Sequence, residues 1–161
     1  MRSNKTFILL ILFMICVGAA NAQTGYKSAA DKVKISGKTI VAKSKAYVNL
    51  MPMIIDEKQK RNCSRDGSLI APVTIETNDK TNLPGGFEIK RIWLKSGDFW
   101  QSAVFNKDET VVKENSISSI ARACPDSKFK VNEPVKIVVE IKHKGKTYFV
   151  ASNQTKLERV Y

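Results

Sequence analysis

The sequence predicts an all-β domain of about seven or eight short antiparallel strands, layered as a sandwich or rolled into a small barrel. Three observations predict it. Apolar residues recur with period two in the clearest segments, Leu69-Ala71-Val73-Ile75-Thr77 and Val135-Ile137-Val139-Ile141, the spacing that sets alternate side chains on one face of a strand. Turn formers punctuate the runs at Pro84-Gly85-Gly86, Ser96-Gly97-Asp98 and Lys144-Gly145. Between the runs there is no amphipathic stretch of helical length, which argues against a parallel α/β sheet.

Ahead of this pattern stands a secretory leader, residues 1–22. Arg2 and Lys5 give it a positive start, Phe7 to Val17 is unbroken apolar sequence, and Ala20-Asn21-Ala22 is a small-x-small cleavage pattern before Gln23. The apolar run of about 11 residues is well short of the ~20 that span a bilayer, so the chain is expected to be periplasmic or secreted and not membrane-spanning after cleavage at Ala22. Of 161 residues, 139 would remain, enough for one domain with a real core. The leader carries two of the 27 basic and none of the 15 acidic residues, so the net charge falls from +12 to +10. Such an excess attracts anionic surfaces in general, and a solvated lysine-rich exterior accounts for it equally well; no specific nucleic-acid partner is implied.

Residues 23–38 are poor in large apolar side chains and read as a lead-in with freedom to move, before a single domain over 39–161. Thr39 to Ala42 and Ala46 to Met51 are β-friendly, separated by Lys43-Ser44-Lys45; Pro52 interrupts, and Lys58 to Asp66 is a charged loop. In the strand from Leu69 to Thr77 the odd positions face the core, while Pro72 places the strand at an edge or a bulge. Asn78 to Gly86 is a turn-rich loop. Phe87 to Leu94 follows with two apolar faces: Phe87, Ile89 and Trp93 on one, Ile92 and Leu94 on the other. Phe99 to Phe105 is again apolar on both. Asn106 to Glu114 is polar, and Asn115 to Cys124 fits a strand or a short helix equally, Ile117, Ile120 and Ala121 having helical spacing. Val135 to Ser152 is a β-hairpin turning at Lys144-Gly145, and Leu157 to Tyr161 ends the chain as an edge strand.

Cys16 lies in the leader and should be lost with it. Cys63 and Cys124 remain, and an even pair in an oxidising compartment is most simply a disulfide. It would close a loop of 61 residues, worth roughly 4 kcal/mol in the chain-entropy model. No second thiol or histidine stands at ligand spacing from either cysteine, so neither a metal nor another cofactor is expected. His143, the single histidine, falls at the hairpin turn between Lys142 and Lys144, exposed among like charges and without the orienting carboxylate of a catalytic base. The acidic residues Asp56, Glu57, Asp98, Asp108 and Glu109 all sit in polar segments where solvated carboxylates belong. A non-enzymatic protein is expected.

The strand pair around Asn78 to Gly86, Trp93 on the following strand and the late hairpin at Lys144-Gly145 together resemble the immunoglobulin-like β-sandwich. The resemblance spans Thr39 to Tyr161 and, with the leader, is in the style of small secreted bacterial proteins. It implies an antiparallel sandwich with Trp93 packed in its core. The sequence departs from that pattern in its cysteines, which fall in or beside loops and not on the strands flanking the tryptophan.

Two features are candidate binding surfaces. Among the aromatics, Phe99 and Trp100 are adjacent and must point to opposite faces of a strand, leaving Trp100 for an exposed patch. The second is the basic hairpin end Lys142, Lys144 and Lys146, which also guards an edge against aggregation. The expected function is a secreted module binding a protein or cell-envelope component. The alternative is an inhibitor or immunity-type protein that blocks an enzyme with loop 78–86 or 58–66.

Overall fold

A computed structural model describes residues 25–49, 68–124 and 126–160. After a short 3-10 turn at Gly25–Ser28, the strands are β1 (Lys32–Ile35), β2 (Lys38–Ser44), β3 (Ala46–Asn49), β4 (Ser68–Thr77), β5 (Phe87–Ser96), β6 (Phe99–Phe105), β7 (Val111–Val112), β8 (Ser116–Ala123), β9 (Pro134–His143), β10 (Lys146–Ala151) and β11 (Thr155–Val160). The described chain is all-β, as its periodicity predicts. Its sheet, however, closes on itself in the order β4-β8-β6-β5-β9-β11-β3 and back to β4, a seven-strand barrel in place of two separate sandwich layers.

The closure has a local cause. β2 and β3 are one strand bent at Lys45, and both pair with β4. β10 and β11 are likewise one strand bent at 152–154, and both pair with β9. The two bent strands run side by side: Ala42 bridges Ser152, and β3 pairs with β11 over four residues, both in parallel. Edges that a sandwich would leave open are thereby joined, and the expectation of a purely antiparallel sheet fails at this one seam. The bends also raise the strand number to eleven. Leu157 is fully buried, so the C-terminal strand belongs to the barrel wall and is not an edge.

The core is the inner face of these strands. In β4 the odd residues Leu69, Ala71, Val73, Ile75 and Thr77 are all buried, as the alternation predicts. Pro72 nevertheless sits in a central strand, between β8 and the β2–β3 bend. Its carbonyl accepts from Lys45 N at 3.2 Å, so its missing N–H faces the interruption in the neighbouring strand and breaks no ladder. β8 is a strand, with Ile117, Ser119, Ala121 and Ala123 inward and Ile120 outward against Pro72.

Trp93 corrects the sequence expectation. A bulge at Lys90 slips the register between Ile89 and Arg91, which brings Ile89, Ile92 and Leu94 to the same inner face and turns Trp93 outward. There it is half-buried under Tyr26, rings 4.1 Å apart and stacked. The lead-in supplies this cover: Tyr26 of the 3-10 turn lies over the outer face, Ala30 O accepts from Ala151 N at 2.9 Å, Asp31 pairs with Lys136, and β1 then joins the sheet beside β2 with Ile35 in the core. Gly25 lies so close to Phe149 that a Cβ there would stand 2.5 Å from its ring.

Candidate functional site

The barrel presents two ends. The turn at 36–37, the loop at 78–86 and the hairpin turn at 144–145 gather at the upper end, while the 97–98 turn and the 124–133 segment lie at the lower. His143 belongs to the upper end and is buried, 2% exposed, not displayed at the turn. The phase of β9 explains this, because the inward series Val135, Ile137, Val139, Ile141 reaches His143 in one more step. Its Nε2 is 3.0 Å from Ser36 Oγ, its ring lies 4.8 Å from Phe87, and its Nδ1 has no partner among the described residues. No described carboxylate orients it.

Lys144 and Gly145 form the hairpin turn with φ of 46° and 78°, while Lys142 and Lys146 flank it. All three lysines are exposed and none has a carboxylate within ion-pair distance among the described residues. Trp100 is on the same sheet but at the lower end, half-buried, edge-on to Tyr26 at 5.0 Å with the Lys95 ammonium 5.4 Å from its ring centre. Through Lys95 it is level with Lys136, six residues from Lys142 along β9, or about 20 Å. The fold therefore does not unite Trp100 with the lysine turn. Cys124 follows β8 at the lower end, its carbonyl accepting from Gln101 Nε2 at 2.9 Å; Cys63, with loop 58–66, lies outside the described residues.

Period-two reading missed a surface along β6 and β7. Val104, Val111 and Val112 are 77%, 54% and 71% exposed, and all three stand beside the same edge of β8, opposite Arg122, Ser118 and Ile117. Val112 also borders a groove of about 200 Å³ lined by Phe87, Ile89, Phe105, Thr110 and Ile117. In sequence, segment 106–114 is polar, and its one signal is the β-branched pair Val111-Val112.

A second groove, which shares Phe87, Val112 and Ile117 with the first, is walled by Leu83 to Gly86 of loop 78–86, and that loop is heavily braced. Asn78 N donates to Thr39 O at 2.8 Å, Leu83 N to Glu114 O at 2.7 Å, and Lys38 Nζ reaches both Thr81 Oγ1 and the Asn82 carbonyl. Within the loop the Asp79 carboxylate accepts from the hydroxyl and the N–H of Thr81, which hold it below the ordinary carboxylate range. Among the described residues no group of three or more histidines, cysteines or acids could hold a metal ion, and no helix is long and apolar enough to cross a membrane. The chain matches no known family model, and no curated protein is similar to it in sequence.

Proposed function

We propose that this chain is an exported, non-enzymatic binding module whose partner is a protein or a cell-envelope component. One observation carries the reading: the three exposed valines cluster on β6 and β7 beside a single strand edge, whereas the other large apolar residues of the described strands are buried or half-covered, Val160 excepted. Large apolar side chains left exposed beside one strand edge are costly to leave in water and mark a candidate interaction site. Export is supported by residues 1–22. A Cys63–Cys124 bond suits an exported chain: Ala123, next to Cys124, pairs with Leu69, which lies six residues beyond Cys63 in sequence.

Strand order supports an immunoglobulin-like origin for the barrel. The series β2-β4-β8-β7 and β10-β9-β5-β6 follow the A-B-E-D and G-F-C-C′ orders of that fold. Its hallmarks are altered, with no cysteine in the described strands β4 and β9 and the tryptophan turned outward.

Crosslinking of the exported chain in its own host tests the reading. Wild type should capture a defined partner, and Val104→Asp with Val111→Asp should lose it while keeping the wild-type unfolding midpoint; equal capture by the double variant refutes it. Inhibition of an enzyme by loop 78–86 is the second reading, favoured by the bracing of that loop, because a rigid loop loses less entropy on docking. Replacing residues 79–82 alone would then abolish binding, and the valine variants would not.

A further inference from the structure

Among the described residues, β1, β7, β10 and part of β6 have a ladder on one side only, and these edges are built differently; β10 begins at Lys146 and its far end is bridged by Ala30 at Val150. β1 reads Lys-Val-Lys-Ile, and β7 is two residues long and followed by Lys113 and Glu114. Charge and brevity are the ordinary guards of a sheet edge against unwanted pairing. β6 has neither. Its seven residues, Phe-Trp-Gln-Ser-Ala-Val-Phe, hold no charge and no proline. From Phe99 to Ala103 it pairs with β5 alone, reaching β8 only at Val104 and Phe105.

The charges around this edge are unevenly matched. At its upper end Arg91 faces Glu140 at 3.9 Å and Arg122 is paired with Glu109. At its lower end Lys95 leans over the Trp100 ring and, like Lys128 in the adjoining 124–133 segment, has no ion-pair partner among the described residues; the acids nearest in sequence are Asp98, in the turn, and Asp126, which accepts from Lys128 N at 2.9 Å. On the outer face Trp100, Ser102 and Val104 form a row that a neighbouring strand would extend.

We infer that the Phe99–Ala103 edge accepts an extended segment of a partner protein by strand addition, and that this segment carries acidic side chains against Trp100 and Lys95. Main-chain hydrogen bonds to the open edge supply affinity, and alternate side chains supply selectivity. Charge disfavours a second copy of this chain as the occupant, since each brings a net +12 over the full sequence, or +10 without residues 1–22, and its own Lys95. The inference rests on the binding-module reading and adds to it the site and the chemistry of the partner.

Amide NMR of the exported chain tests it, with capped six-residue peptides of alternating Glu and Val or alternating Lys and Val as probes. The Glu/Val peptide should shift the amides of residues 99–105 and slow their hydrogen exchange, and the Lys/Val peptide should leave them unmoved. Lys95→Glu, at a half-exposed position, and Ser102→Asp, at an exposed one, should each weaken Glu/Val binding at least tenfold without changing the unfolding midpoint. No shift with either peptide, equal shifts with both, shifts centred on Phe87 and Ile117, or protection of 99–105 that rises with the chain's own concentration would each overturn the assignment. If the valine variants lose the host partner while Lys95→Glu and Ser102→Asp keep it, the module reading stands and the edge assignment falls.

Discussion

The barrel closes at two seams, and they are not alike. At β3–β11 four residues pair on each side, with Ala46, Val48 and Leu157 buried along the inner face. Just above, the hydroxyl of fully buried Ser152 accepts from Ser44 Oγ at 2.7 Å and from Ile137 N at 3.3 Å, and donates to Asn153 O at 3.1 Å. At β6–β8 only two residues pair. The strands then fork, and the fork is spanned by the Gln101 side chain, whose Oε1 is buried without a partner. Apolar packing and a satisfied polar cluster make the first seam firm, whereas the second rests on two paired residues and, beyond them, on the Gln101–Cys124 hydrogen bond and the Phe99–Phe129 ring contact. Incomplete closure there is what leaves β6 an edge to offer.

The largest effect should come from the firm seam. Leu157→Ala is expected to cost about 3–4 kcal/mol in urea unfolding, the range for a buried leucine truncated in a core; a cost under 1 kcal/mol would remove the distinction between the seams. Ser152→Ala should cost about 2 kcal/mol, because Ile137 N and Ser44 lose a buried acceptor. Trp93→Ala should cost about 1–2 kcal/mol, less than a core tryptophan, since its ring lies outside the barrel under Tyr26. A double-mutant cycle with Tyr26→Ala should find most of that loss shared between the two rings.

Gln101→Leu, at the loose seam, should cost less than about 1 kcal/mol, because the change also removes an unsatisfied buried oxygen. A loss larger than that of Ser152→Ala would reverse the comparison. Smallest is the effect of Glu76, on the wall between the seams. Burial pushes its carboxyl up, but hydrogen bonds from Lys43 and Lys80 outweigh this and hold it below its ordinary value of 4.5. A lowered pKa stabilises the fold above that value, and the contribution is lost as pH falls through the folded pKa. Glu76→Gln should therefore cost under about 1 kcal/mol at neutral pH, the lysines being largely exposed, and the difference from wild type should shrink below pH 4.5 in acid unfolding.

Much of the wall was legible because each strand carries its own period. Leu69 to Thr77 and Val135 to Ile141 declare their inner faces without help from any neighbour, and the glycine turns follow from backbone sterics alone. Legibility failed where one residue shifts a phase or extends it. Lys90 gives no sign of a bulge, so nothing local shows that Trp93 faces out of the core. His143, between two lysines, reads as part of the turn, although the alternation of its own strand carries it inside. Candidate sites fared similarly: Trp100 and the lysines at 142, 144 and 146 are nameable from the sequence, but their separation by about 20 Å is not. The exposed valines on β6 and β7 look in sequence like any other β-branched residues.

By itself the sequence determined an all-β chain, its turns and the inward residues of its longest strands, because alternation and turn chemistry act over a few neighbouring residues. Only the tertiary structure decided that the sheet closes into a barrel, that Tyr26 covers Trp93 and that β6 keeps an open edge. Each of these depends on pairing between residues far apart in the chain, such as Ala46 with Leu157, and no local pattern encodes which distant edge a strand will meet.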